Sequence, residues 1–104
     1  MNLGKVIKTL REHKGQNQRD FADYIGISQT SLSLIESGKT IPTDATLEGI
    51  AARFNTRRAL LLMAAIEVDK DFPPKSRKRF NDFFPDFERR IWTLILNKND
   101  LPIK

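Results

Sequence analysis

The sequence predicts an all-α protein, on three observations. Apolar residues recur at intervals of three and four through successive segments. N-cap residues and glycines stand at the ends of those segments. Gly and Pro are few in a chain that is 39% apolar and 30% charged. A length of 104 residues suffices for one domain with an appendage and a modest core.

Taken in order, Leu3, Val6, Ile7 and Leu10 form the inner stripe of a first amphipathic helix. Lys5, Lys8, Arg11, Glu12 and Lys14 surround it, and it ends near Gly15. Asn17 caps a second helix over Gln18–Ile25, with Phe21, Ala22 and Ile25 on one face. Gly26 supplies the left-handed turn. Ser28 caps a third helix that turns Leu32 and Ile35 inward and ends at Gly38. Thr43 or Asp44 caps a fourth, with Leu47, Ile50, Ala51 and Phe54 as its buried stripe. A fifth helix is expected over residues 57–68. Its middle, ALLLMAAI, is apolar almost all round, so a second surface must cover it. Residues 69–75, with Pro73 and Pro74, read as a linker. Beyond them come a basic cluster (Lys75, Arg77, Lys78, Arg79), a short helix before Pro85, and a longer one over 85–96 with Asp86 and Glu88 in its first turn. The expected division is 1–68 for the main domain and 69–104 for linker and helical extension.

Several classes of function are set aside by what the chain lacks. There is no cysteine, hence no disulfide and no thiolate chemistry. His13 is the sole histidine and has no clustered carboxylates beside it, so no metal and no cofactor are expected. No phosphate-binding glycine loop, nucleophile elbow or acid pair occurs, which argues against an enzyme. The longest apolar run, residues 59–66, is far short of the ~20 that span a bilayer. With no signal-like start the chain reads as cytoplasmic. The net charge of +5 and a pI near 9.8 favour a polyanionic partner.

The segment 18–39, QRDFADYIGISQTSLSLIESGK, is the most informative. It is two short helices hinged at Gly26, the second presenting Gln, Thr and Ser outward. Packing explains such a face poorly; contact with the edges of DNA bases explains it well. Leu10-Arg11 before Gly15, N-Q-x-x-x-A-x-x-I-G-I-S at 17–28 and E-S-G-K-T-I-P at 36–42 resemble the lambda-repressor-like, XRE-type (Cro/cI-like) helix-turn-helix family of phage and bacterial regulators. The resemblance covers residues 3–66. It implies a five-helix DNA-binding domain, here with a short C-terminal helical extension.

It also implies roles. Gln29 would enter the major groove, where an amide can pair with adenine N6 and N7 at once. Thr30 and Ser33 would offer hydroxyls to base edges or phosphates; Leu34, at a position often polar in the family, would either meet a thymine methyl or mark a recognition surface unlike the usual one. Phosphate contacts would come from Asn17, Gln18, Arg19, Ser37, Lys39 and Thr40, with Lys14 nearby. Gln18 would also brace Gln29, and Lys39 stands beside a glycine expected to expose backbone amides. Glu36 would pair with Arg11 as a structural ion pair between the first and third helices.

Relatives usually dimerise, which implies a regulator, foremost a repressor, bound to a palindromic operator as a homodimer. The expected interface is Leu60, Leu62, Met63, Ile66, Phe84, Phe87 and Ile91, a core shared by the fifth helix and the tail; the alternative is a tail folded back over its own chain. Two other functions use the same scaffold. One is an antitoxin whose extension binds a protein partner; the other is a protein-interaction module that does not read DNA.

Overall fold

A computed structural model describes residues 1–97. It holds helices α1 (Leu3–His13), α2 (Gln18–Ile25), α3 (Gln29–Glu36), α4 (Asp44–Arg53), α5 (Arg58–Ala64), α6 (Val68–Asp71), α7 (Pro74–Phe83) and α8 (Phe87–Trp92). A π-helical turn over Thr93–Asn97 follows α8. The protein is all-α, and no strand occurs among the described residues.

Local chemistry sets the helix starts. The side chains of Asn2, Asn17, Ser28 and Thr43 each accept from the backbone amide three residues on, satisfying an otherwise unpaired donor. α1 packs on α3 and α5, α2 on α3 and α4, and α4 on α5. Ile7, Leu10, Phe21, Leu32, Ile50, Leu61 and Ile95 are fully enclosed at the centre. The α1–α3 crossing is close enough to require Gly4, where a Cβ would lie 2.3 Å from the Ile35 carbonyl oxygen.

The fifth helix is shorter than the sequence suggests. It stops at Ala64, because the Ala65 carbonyl turns to accept the Asn2 amide at 2.8 Å and Ile66 closes a tighter turn onto Met63. The segment expected as a linker contains the end of α6, Phe72-Pro73 and the start of α7. The helix before Pro85 is ten residues long rather than short. Pro85 lies outside the helix that follows it. Asp86, at φ 55°, makes a left-handed corner, and α8 begins only at Phe87.

Part of the apolar circumference of α5, Leu61 and Ala64 above all, is covered by α1 and α4 and, from the extension, by α8 and the π-helical turn, while Met63 stays exposed. Ile91 is 7% exposed and Ile95 fully buried within their own chain. The tail therefore folds back, and Ile91 is not available to a second copy in this arrangement. Phe72, Phe80, Phe84 and Phe87 form a satellite cluster, with ring centroids 4.8–6.1 Å apart, that joins α6, α7 and α8. The Met1 amino group donates to Asp71. With the Glu67 amide, it holds that carboxyl below its ordinary pKa.

Candidate nucleic-acid interface

The turn between α2 and α3 forms because Gly26 takes φ 81°, a conformation that costs a residue without a Cβ little. The amides of Gly26 and Ile27 both return to the Ala22 carbonyl, at 2.8 and 3.0 Å, and close the end of α2. Ser28 then starts α3 by accepting from the Ser31 amide at 3.0 Å. Leu32 and Ile35 are buried beneath α3. Gln29, Thr30, Ser33 and Leu34 are exposed, and none of the three polar side chains has a hydrogen bond among the described residues.

The back of α3 is fastened by charge. Arg11 Nε donates to Glu36 Oε2 at 2.8 Å and Nη2 to Oε1 at 3.0 Å, a bidentate pair in which the side chains are 15% and 5% exposed. The Glu36 hydrogen bond raises the Arg11 pKa further above its ordinary value. Arg11 Nη1 also donates to the Gln16 carbonyl at 3.0 Å, and Gln18 Nε2 donates to Glu36 Oε1 at 3.1 Å. One carboxylate thus ties α1, the start of α2 and the end of α3. Gln18 leans on Glu36, not on Gln29; the sequence offers no periodic signal for a contact that spans 18 residues.

The expected phosphate-facing residues divide by how they are held. Arg19, Lys39 and Thr40 are exposed. Asn17 has its side-chain Oδ1 engaged by the Asp20 amide at 2.8 Å, and Ser37 Oγ donates to the Leu34 carbonyl at 3.0 Å. The loop after α3 departs from expectation. The amides of Gly38, Lys39 and Thr40 turn back to the carbonyls of Ile35 and Leu34 at 2.9–3.2 Å. These amides cap α3, so the loop offers side chains rather than backbone donors. Lys14 is also committed, its Nζ 4.6 Å from the centre of the Tyr24 ring. A further strut that the sequence did not announce joins α2 to α4: Arg53 Nε donates to the Tyr24 carbonyl, and Tyr24 Oη donates to the Arg53 carbonyl at 3.3 Å.

Two short helices at a glycine turn, the second solvent-facing and polar, define a helix-turn-helix DNA-binding protein. The family model HTH_3, Helix-turn-helix, matches residues 7–61, and the chain belongs to this family. It is similar to the ImmF control region 10 kDa protein of Bacillus phage phi105, with 39% identity over 66 residues, 64% of this chain and 73% of that protein. It is also similar to the competence pilus inhibition repressor of Acinetobacter baylyi, with 28% identity over 71 residues, 68% of this chain and 64% of that one. No solved structure matches significantly. The chain is a DNA-binding transcriptional regulator, not an enzyme. Among the described residues no helix is long and apolar enough to cross a membrane.

Proposed function

We propose that the protein is a repressor that binds a palindromic operator as a homodimer. The observation that carries this reading is the outer face of α3. Gln29, Thr30, Ser33 and Leu34 are exposed there, while Arg11 and Glu36 fix the helix from behind. A reader of base edges needs side chains that are free of internal partners on a helix that does not move. In this reading Gln29 pairs with adenine in the major groove, Thr30 and Ser33 meet neighbouring base edges, and Leu34 meets a thymine methyl. Arg19, Lys39 and Thr40 take phosphates. Asn17 and Gln18 offer the amide donors left over from their structural bonds, whereas Ser37 reaches a phosphate only by giving up its bond to the Leu34 carbonyl. The relative named a competence pilus inhibition repressor supports repression as the outcome.

A second copy adds the second half-site, with the two α3 helices one turn of DNA apart, ~34–36 Å. Met63, 42% exposed on α5, is the centre of the proposed contact, with Leu60, Leu62 and Ile66 half-buried near it in sequence; Phe84 and Phe87, in the aromatic cluster of the extension, are the tail's part of it. The test is selection of bound duplexes from a random pool with the full chain. A two-fold symmetric motif is expected. An enriched motif without symmetry would remove the homodimer, and no enrichment at all would remove sequence-specific reading.

A further inference from the structure

Helix α7 carries a basic face that the reading of α3 does not use. Lys75, Arg77, Lys78 and Arg79 fall within five consecutive positions, on a helix none of whose residues is buried. Two of the four are committed within the chain. Arg77 Nε donates to the Phe72 carbonyl at 2.9 Å, and Lys78 Nζ pairs with Asp82 at 3.0 Å. Lys75 and Arg79 are exposed and lie one turn apart. Neither has an ion pair or side-chain hydrogen bond among the described residues. With Pro74, Lys78 and Asp82 they line a shallow concavity.

Met1 lies near both the base of α7 and the loop that follows α3. Met1 lines a cleft with Gly38, Thr40 and Ile41, and its amino group holds Asp71, three residues before Pro74. From there α7 runs roughly 15 Å. One DNA strand presents a phosphate every ~3.4 Å of duplex axis, so a helix of this length laid along the duplex spans several of them.

We infer that Lys75 and Arg79 form an auxiliary contact to the phosphate backbone of duplex DNA beside the segment read by α3, an inference that rests on the DNA-reading role proposed above. Charge decides the occupant. α7 holds four basic residues and one acidic residue. A second α7 stacked on this face would set like charges against each other, whereas duplex DNA brings negative charge at every nucleotide.

The experiment measures binding of the full chain to a random-sequence duplex of roughly 40 base pairs across a salt titration. Lys75→Gln with Arg79→Gln should make the slope of log K against log salt shallower by about 2, and should weaken binding most at low salt. Lys75→Arg with Arg79→Lys, which keeps both charges, should retain the wild-type slope. Wild-type slope in the glutamine variant overturns the auxiliary contact and leaves the α3 reading standing. Absence of wild-type binding even at low salt overturns the reading beneath it, and the inference with it.

Discussion

Glu36 is the residue on which the interface turns. Its two oxygens accept from Arg11 twice and from Gln18 once, and its side chain is 5% exposed. Glu36→Ala would leave the Arg11 guanidinium without its carboxylate in a largely enclosed setting, a loss of about 3–5 kcal/mol. Thermal unfolding should show a clear fall in Tm, while the preferred duplex from a random pool stays the same. Gln29 should behave in the opposite way. Gln29→Ala is expected to keep its Tm and to flatten the preference at one base position, about 1–3 kcal/mol of discrimination, read by competition between duplexes differing at single positions. Lys39→Ala should weaken binding to every sequence alike and reduce the salt slope by about 1. The candidate reading face was legible because polar residues at helical spacing need no tertiary information. The partners of Gln18 and Lys14 were not, since an amide or ammonium has several acceptors within reach and only the packed arrangement selects Glu36 and the Tyr24 ring.

At the level of elements, the first four helices followed from caps and apolar spacing, both local signals. Past Phe54 the local signals compete. Nothing in ALLLMAAI announces that the Ala65 carbonyl is drawn to the Asn2 amide, which ends α5 early. Nor does the run TLILN declare a π-helical turn, although that turn places Ile95 in the core with no exposed surface. The periodic stripe of the tail was visible; its destination was not. Ile95→Ala should cost about 2–5 kcal/mol, because the cavity would open at the centre of the molecule and not in a loose appendage. Urea denaturation of the full chain should show one transition at a lower midpoint. A midpoint equal to wild type would mean that the extension contributes nothing to the stability of the helix-turn-helix.

For the whole molecule, the inward fold of the tail narrows where a second copy can sit. Ile91 is spent on the protomer's own core, and Met63 is the large apolar residue that α5 leaves exposed. If the proposed homodimer forms through this face, Met63→Asp should shift sedimentation from dimer to monomer and lower operator affinity, while the Tm of the protomer changes little. Unchanged sedimentation as a dimer would move the contact elsewhere. Inside the molecule, the side chains of Gln29, Thr30 and Ser33 hold nothing together; beneath them, Leu32, Ile35 and Glu36 fasten α3 to the rest of the domain. Surface substitutions of this kind usually change stability by no more than about 0.5 kcal/mol. A lineage carrying this chain could therefore rewrite the sequence it answers to, letter by letter, without passing through an unfolded ancestor.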